Sequence, residues 1–441
     1  MKLPIAFENQ IKEIIGDEWN NFVNALEEDS PTSIRLNSNK YHEADNLKTN
    51  QPIPWASNAY YLDTRPIFTL DPLLHAGVYY VQEASSMYLE QIIKKHLAPS
   101  IKVLDLCAAP GGKSTLISSL LSEDSLLVAN EVIRTRSNIL SENLIKWGNP
   151  NTIVTNNDPA DIGNKLNSYF DIIVADVPCS GEGMFRKDNA AINEWSPNNV
   201  KLCAERQRRI IADIWSSLKP GGILIYSTCT FNKEENENNL EWICNELGAE
   251  ILDAPCRFYP HKNKGEGFFI ASLQKAASDE SNTYRCAKKN KKDNKSSKGI
   301  KTPEEIKQRI INADAFSFHQ KNDSFIAIPL AVVDSYRDIA SCLKIVSAGI
   351  SIGEIKGKDI IPSHSLALSN CLSESFYPTL ELDKESAIKY LRKDSFDCDL
   401  QNLHKGYVIV TYNNRPLGFI KNIGTRFNNL YPNEWRIRMN V

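Results

Sequence analysis

Residues 105–115, DLCAAPGGKST, place small side chains, a proline and a lysine between a predicted strand and a predicted helix. Small residues let backbone amides approach a ligand closely, and a helix N-terminus favours a carboxylate. Two phosphate-binding patterns fail, because Cys107 stands where G-x-x-x-x-G-K-[ST] requires its first glycine and G-x-G-x-x-G is absent. We therefore favour S-adenosylmethionine (SAM), which has a carboxylate and a sulfonium but no phosphate, over a purely structural turn.

Two acidic residues follow the next predicted strands. Glu131 ends the second strand, where a carboxylate can accept hydrogen bonds from both ribose hydroxyls of a nucleoside. Asp158 lies just past the third strand, in a position to meet an adenine amino group. Either acid alone is more often a solvated strand end, but the pair at successive strand ends predicts a nucleoside ligand.

Two cysteines follow the fourth and fifth predicted strands, Cys179 in DVPCSGEGMFRKD and Cys229 in YSTCT. Neighbouring strand ends would place them, with Asp176, over the same crevice as the cofactor. A metal site is disfavoured because no C-x-x-C occurs. A buried structural thiol is the usual fate of a single cysteine, yet two in strand-end loops favour chemistry.

A thiolate beside SAM suits methylation of a pyrimidine carbon. Thiolate addition at C6 makes C5 an enamine carbon that can accept the methyl group; a base then removes the C5 proton and the thiolate leaves. A carboxyl group such as that of Asp176 can hydrogen-bond the N3/N4 edge of cytosine as the adduct forms. Transfer to an exocyclic nitrogen typically uses Asn/Asp-Pro-Pro-aromatic, whereas this loop reads DVPC.

Together these motifs resemble the Nop/Sun family of RNA (cytosine-C5) methyltransferases over about residues 76–275. The matching segments are DLCAAPGGKST, NE at 130–131, DPAD at 158–161, DVPCSGEGMFRKD, RQRRI at 206–210, KPGGILIYSTCT and GEGFFIASLQK. The N-terminal region, the approach LLHAGVYYVQEASSMY and the long C-terminal extension resemble the bacterial RsmF-type 16S rRNA methyltransferases, whose extension includes a PUA-like RNA-binding barrel.

The resemblance implies a role for each matching residue. Cys229 would be the nucleophile, Cys179 would help to resolve the adduct and release the product, and Asp176 would lie between SAM and the target base. DNA cytosine-C5 enzymes instead use the cysteine of the PC motif, and spacing alone does not choose between the two. SAM would be bound by Cys107, Ala108, Ala109, Pro110, Gly111, Gly112, Lys113, Glu131, Asp158 and Asp176.

Elements that could position these residues are visible in the apolar pattern. Near-continuous apolar runs alternating with helical stretches predict an α/β Rossmann-like fold, a mostly parallel sheet with helices on both faces. The predicted strands are 102–107, 126–131, 152–156, 170–177, 222–229 and 267–275. The predicted helices are 85–97, 112–122, 134–147, 199–218 and 233–247.

The flanking regions predict further parts. A helix at 11–26 and a strand at 32–37 indicate a small α+β module, and 407–412 with 417–423 read as a β-hairpin around Asn413–Asn414. We expect an N-terminal RNA-binding or auxiliary module at 1–75, a catalytic domain at 76–275, a Lys-rich linker at 276–301 and a C-terminal extension with a PUA-like domain at 302–441.

Composition restricts the class of protein. The 441 residues carry a net charge of −3, with 42% hydrophobic and 24% charged residues, which is ordinary globular composition. Ten cysteines are too dilute for a disulfide scaffold, MKLPIAFENQ has no apolar signal core, and no 18-residue apolar run occurs. We expect a cytoplasmic, monomeric protein with no metal and no membrane partner.

The expected partner is RNA, and specifically small-subunit rRNA. Residues 401–441 hold six Lys/Arg against one acid, interleaved with aromatic residues, although the whole chain is slightly acidic. The predicted RNA contacts are Arg186, Lys187, Arg206, Arg209 and Arg426. Two alternatives stay open, the same chemistry on tRNA and a non-catalytic RNA-binding assembly factor that keeps the fold.

Overall fold

The computed structural model describes residues 1–41, 51–277, 304–357, 359–400 and 402–439. The Lys-rich segment predicted as a linker lies, apart from its first two residues, outside the described residues. The α-helices are α1 Ile5–Ile15, α2 Trp19–Glu27, α3 Pro72–His75, α4 Leu89–Ile93, α5 Gly112–Leu120, α6 Arg134–Trp147, α7 Pro159–Lys165, α8 Asn189–Glu194, α9 Pro197–Ile214, α10 Glu237–Leu247, α11 Glu304–Gln308, α12 Val333–Cys342, α13 His364–Ala367 and α14 Lys384–Arg392.

The strands follow the same chain order. They are β1 Thr32–Leu36, β2 Gln51–Pro52, β3 Ala59–Leu62, β4 Tyr79–Val81, β5 Lys102–Asp105, β6 Leu126–Asn130, β7 Thr152–Thr155, β8 Phe170–Asp176, β9 Leu218–Thr228, β10 Ala249–Ile251, β11 Cys256–Phe258, β12 Phe268–Lys275, β13 Phe316–Lys321, β14 Ser324–Pro329, β15 Ile345–Ala348, β16 Ile350–Lys356, β17 Asp359–Pro362, β18 Thr379–Glu381, β19 Gly406–Tyr412, β20 Arg415–Asn422 and β21 Phe427–Asn429.

The central sheet has the strand order β10-β12-β9-β8-β5-β6-β7-β15, and β9, β8, β5, β6 and β7 run parallel. Successive residues of each strand face opposite sides, so an apolar strand serves two cores at once. Val103 packs with Ile117 on one face, while Leu104 packs with Ile211 on the other. The predicted α/β fold with a parallel sheet covered on both faces is confirmed.

The C-terminal part contributes a strand to this sheet. Strand β15 pairs antiparallel with β7, with Ile345 opposite Thr155 and Ala348 opposite Ile153. The sequence pattern did not predict this strand, because four half-buried residues have no clear period of their own. Residues of the predicted catalytic domain and of the C-terminal extension therefore share one sheet.

The N-terminal helix predicted at 11–26 is two helices. The chain turns at Gly16, whose φ of 57° is left-handed and suits glycine, so α1 ends there and α2 begins three residues later. Both helices bury apolar residues against loops of the central sheet, and Phe7 and Phe22 pack with Phe231. Strands β1 to β4 form an antiparallel sheet in the order β2-β3-β1-β4.

The C-terminal extension forms two small sheets, β13-β14-β16-β17 and β18-β19-β20-β21. The predicted hairpin is confirmed as β19 and β20, and both Asn413 and Asn414 at its turn have positive φ, as a two-residue hairpin turn requires. Its core is shared with the N-terminal sheet, since Ile34 and Val78 pack with Val408. None of the helices in the described part of the chain combines the length and apolar character needed to cross a bilayer.

One lysine joins these parts. The Lys40 ammonium donates to the carbonyl oxygens of Ala76 at 3.0 Å, Lys146 at 2.6 Å and Leu368 at 2.6 Å. These carbonyls lie at the C-terminal ends of α3, α6 and α13, where helix dipoles favour a cation. Three helices from three regions of the chain thus end on one side chain.

We predict that Lys40→Met lowers the free energy of unfolding by about 1–3 kcal/mol, because it leaves partly buried carbonyls without a donor. Urea denaturation followed by circular dichroism measures this change. The matched control is Lys389→Met, which removes an exposed lysine paired with Glu385 and is expected to change stability by about 0.5 kcal/mol or less. Equal losses in the two variants would contradict the prediction.

Candidate active site

The loop after β5 turns tightly above the end of its strand. Gly111 has a φ of 117°, in the left-handed region, and α5 begins at the next residue. Beneath the loop, Asp105 is fully buried, and Ser114 donates to its Oδ2 at 2.6 Å. Burial raises the pKa of Asp105 to about 7, and no described residue donates to its Oδ1. The loop therefore rests on an acid that has one unpaired acceptor.

Lysine and aspartate link the first loop to the end of β8. Lys113 Nζ donates to Asp176 Oδ2 at 2.7 Å, and Ser227 Oγ donates to the other carboxylate oxygen at 2.8 Å. Ser227 lies in β9, so three neighbouring strand ends meet at one carboxylate. Asp176 keeps a third of its side-chain surface exposed, and it can therefore still reach a ligand.

The two predicted nucleoside acids have different environments. Glu131 is 3% exposed; its Oε1 accepts from the Ile133 amide at 2.9 Å, and its Oε2 lies 3.5 Å from Arg136. Asp158 is exposed and caps α7 by accepting a hydrogen bond from the Ala160 amide at 3.0 Å. Both lie at the carboxyl edge of the sheet, after β6 and β7 respectively.

Three predicted site cysteines, Cys107, Cys179 and Cys229, follow strands β5, β8 and β9. Cys179 and Cys229 approach to 3.1 Å between their sulfur atoms, and both are free thiols with partial exposure. The contact with Cys229 and burial hold the pKa of the Cys179 thiol well above its usual value. Burial, reinforced by nearby carboxylates, also raises the pKa of Cys107, so that thiol stays protonated in the cofactor loop.

The cysteine loops are held together by two buried glutamates that sequence reasoning missed. Glu182 accepts hydrogen bonds from the backbone amides of Phe231 and Asn232 at 2.7 and 2.9 Å, and from the indole of Trp195 at 2.9 Å. Glu235 accepts from the Ser180 amide at 2.9 Å. Each glutamate belongs to one cysteine loop and accepts hydrogen bonds from backbone amides of the other. A glutamate between two glycines is the signal that could have identified Glu182, whereas Glu235 lies in a run of polar residues and has no such signal.

The predicted RNA contacts divide into two groups. Arg186 is buried, its Nε donates to Glu266 at 2.9 Å, and both remaining nitrogens donate to backbone carbonyls. Because the side chain is buried and each of its three nitrogens already bonds an acceptor inside the protein, this geometry argues against the predicted phosphate contact of Arg186, which stays a prediction. Lys187 is partly exposed, at 31%. Arg206, Arg209 and Arg426 are exposed.

The chemistry of the site suits SAM. A glycine loop with a lysine, a buried acid under the loop with an unpaired oxygen, and a second acid at the next strand end can serve an ammonium and ribose hydroxyls. Within the described ranges, no cluster of His, Cys, Asp or Glu could hold a metal ion. The parallel sheet and this loop define a SAM-dependent methyltransferase.

Comparisons with known proteins identify the family. Residues 95–274 match the 16S rRNA methyltransferase RsmB/F family, residues 3–84 match the N-terminal domain of 16S rRNA methyltransferase RsmF, and residues 377–437 match the methyltransferase RsmF PUA domain. Ribosomal RNA small subunit methyltransferase F of Pectobacterium atrosepticum is 30% identical over 98% of this chain and 95% of its own length. The Escherichia coli protein of the same name is 29% identical over 98% of this chain and 96% of its own. The chain belongs to the RsmF family of methyltransferases.

Solved structures share the central fold. A methyltransferase homolog from Pyrococcus horikoshii is 28% identical, with a TM-score of 0.54, and the match covers 61% of this chain and 94% of the homolog. NSun6 from the same organism has a TM-score of 0.54 at 21% identity, over 62% of this chain and 99% of its own. The predicted Nop/Sun-type fold is thus confirmed.

We predict that Glu182→Gln reduces both stability and methyl transfer. Glutamine offers one acceptor oxygen where glutamate offers two, so buried donors in the Cys229 loop lose a partner, at a cost of about 1–3 kcal/mol. Urea denaturation and initial rates with labelled SAM measure the two effects. Glu241→Gln, on the exposed face of α10, is the control. Unchanged rates in Glu182→Gln would show that this carboxylate does not position the loop.

Proposed function

We propose that this chain transfers a methyl group from SAM to C5 of a cytosine in 16S rRNA, with Cys229 as the nucleophile and residues 76–275 as the catalytic domain. The observation that carries the proposal is the pair of thiols 3.1 Å apart at the ends of adjacent strands, beside a carboxylate bound by the lysine of the cofactor loop. The relatives are named ribosomal RNA small subunit methyltransferase F, which supports the choice of RNA.

The cofactor would be held by the loop and by the two acids after β6 and β7. SAM supplies an electrophilic methyl group when bound. The proposed ligands are Cys107, Ala108, Ala109, Pro110, Gly111, Gly112, Lys113, Glu131, Asp158 and Asp176. Since the Cys107 thiol stays protonated, its part is to leave room for the ligand rather than to attack it.

Cys229 would attack C6 of the target base. Its sulfur would form a bond to C6 while the electrons of the C5–C6 double bond move to C5. C5 would take the methyl group from the SAM sulfonium, whose S–CH3 bond breaks to leave the neutral thioether S-adenosylhomocysteine. A base would then remove the C5 proton, and the C5–C6 double bond would form again as the thiolate leaves. The raised pKa of Cys179 keeps that neighbour a neutral thiol near neutral pH. The part of Cys179 in resolving the adduct follows the resemblance of its PC motif to the family, and its sulfur lies 3.1 Å from that of Cys229, close enough to act on the same adduct.

Asp176 would orient the cytosine. The ammonium of Lys113 and the hydroxyl of Ser227 fix its two oxygens, so the carboxylate cannot turn away from the crevice. A fixed carboxylate accepts from the exocyclic amino group of cytosine, and uracil lacks that donor. The target base must leave its stack to reach this position.

RNA binding would involve exposed basic residues on two parts of the chain. Arg206 and Arg209 lie on α9 and are exposed, as is Arg426 before β21. Lys187 follows the Cys179 loop; its side chain is partly exposed, and its ammonium lies 3.5 Å from Glu266. The basic excess within 401–441, six against one, adds local positive potential. Affinity for phosphates depends on such local potential rather than on the net charge.

We predict that Cys179→Ala accumulates a covalent complex with 16S rRNA in the presence of SAM, because the adduct forms but is not resolved. Denaturing gel electrophoresis detects the complex as a band of reduced mobility. Cys229→Ala should give neither the complex nor 5-methylcytosine, which bisulfite sequencing maps in the product of the wild-type enzyme.

The control is tRNA under the same conditions, which should give no complex. A complex with Cys229→Ala instead would reverse the roles of the two cysteines. Methylation of tRNA alone would assign the enzyme to that substrate, and failure of the wild-type protein to bind SAM would indicate a non-catalytic RNA-binding factor.

We predict that Arg206→Ala with Arg209→Ala weakens RNA binding and lowers the dependence of log Kd on log salt by up to about 1.8, or about 0.9 for each lost phosphate contact. Fluorescence anisotropy across a salt series measures the slope. Lys165→Ala with Arg337→Ala removes the same charge from exposed positions on α7 and α12. If both pairs change the slope equally, the effect is one of total charge and the proposed contact is excluded.

A further inference from the structure

Arg35 of β1 is a buried cation that has no ion-pair partner among the described residues. It is 2% exposed, and in the described part of the chain no carboxylate lies within ion-pair distance of its guanidinium. Burial lowers its pKa to about 9, which still leaves it charged at neutral pH. Burying a charge is costly unless hydrogen bonds compensate, so the acceptors around Arg35 indicate what it does.

The acceptors belong to the back of the cofactor loop. One terminal nitrogen donates to Thr115 Oγ1 at 2.6 Å and to the carbonyl of Gly112 at 3.3 Å, while Nε donates to Gln82 Oε1 at 3.0 Å. The guanidinium also lies 4.5 Å from the ring centre of Trp147, in α6. Its donors therefore reach two segments of the chain, α5 and the residue after β4, while its face contacts α6; two of the acceptors are in the first turn of α5.

That first turn is the part of α5 that carries the chemistry. Lys113 lies between Gly112 and Thr115, and its ammonium binds Asp176 at 2.7 Å. Thr115 also donates to the carbonyl of Gly111 at 2.8 Å, so its hydroxyl connects Arg35 to the left-handed glycine of the loop. Fixing Gly112 and Thr115 from behind fixes both the loop amides and the root of the Lys113 side chain.

Stabilisation of the helix does not explain this arrangement. A helix N-terminus has a partial positive charge, and a cation there is unfavourable. Arg35 meets the N-terminal turn of α5 through a carbonyl and a hydroxyl, so it binds the loop in spite of the dipole. These bonds hold the loop in one shape, and a loop already held in its binding conformation loses less entropy when a ligand binds.

We propose that Arg35 is a positioning residue for the SAM loop, and that the N-terminal strand β1 is therefore part of the cofactor site. The inference rests on the proposed function of the loop and assigns it a support outside the catalytic domain. Arginine is required because its planar fork reaches Thr115, Gly112 and Gln82 together and stacks on Trp147. Lysine, a point charge with a flexible stem, cannot reproduce that set.

The test compares Arg35→Gln and Arg35→Lys with the wild-type protein by calorimetric titration of SAM. We expect the Kd for SAM to rise about 10-fold or more in both variants, together with the KM for SAM in methylation assays. At saturating SAM, kcat should fall about 3-fold at most, and the KM for RNA should stay unchanged. This separation of KM from kcat is what a general loss of structure would not produce.

Arg309→Gln is the matched control. Arg309 is also a 2% exposed arginine that stacks on aromatic rings, but it lies after α11 and bonds Glu305 and the Ile360 carbonyl. Its loss should lower the thermal midpoint without changing the Kd for SAM. If the Arg35 variants lower the midpoint alone and keep the wild-type Kd, the proposal is overturned.

A second variant covers the case in which Arg35→Gln does not fold. Thr115→Val removes the main acceptor from the loop side and leaves Arg35 in place, and it should raise the Kd for SAM in the same direction. Combining Thr115→Val with Arg35→Lys should raise the Kd for SAM little further, because both changes remove the same contact between residues 35 and 115. Wild-type protein that fails to bind SAM would refute the proposed function, whereas unchanged affinity in the variants refutes only the role of Arg35.

Discussion

The ion pair between Lys113 and Asp176 is the interaction on which the site depends. Its 2.7 Å contact joins the loop after β5 to the end of β8, and Ser227 of β9 binds the second oxygen. Three parallel strands can only supply these groups if they are neighbours with their carboxyl ends at one edge, which is the order β9-β8-β5 that the sheet adopts. The cofactor region and the cysteine loops are thereby a single polar unit.

In the described part of the chain, two buried carboxylates build the rest of this unit through hydrogen bonds and without an ion pair. Glu182 and Glu235 are fully buried, and each is stabilised by donors from the loop that it must hold. A carboxylate used in this way is specific, because it accepts only donors at the right places and leaves a large penalty for any other loop conformation. The loops that these carboxylates join carry the two thiols that approach to 3.1 Å.

The sequence was most informative where chemistry and strand ends coincide. DLCAAPGGKST, DVPC and STCT could be placed at one edge of a sheet, because apolar runs predicted the strands that precede them. Contacts between distant segments were beyond reach. Arg35 behind the cofactor loop and Lys40 under three helix ends depend on packing that no local pattern encodes, and the buried ion pair of Arg186 was not foreseen because its partner, Glu266, lies 80 residues away.

Strand β15 bears on how the protein keeps its solubility. Without it, β7 would form the outer edge of the central sheet, with a row of unpaired backbone groups open to another chain, and such edges promote aggregation. The described pairing from Ile345 to Ala348 closes that edge, and the Asn156 amide donates to the Lys344 carbonyl just beyond it. The C-terminal extension therefore covers an edge of the central sheet that would otherwise be open to pairing. A chain cut short after β12 would have every residue of the proposed chemistry and still expose a strand ready to pair with its own copies.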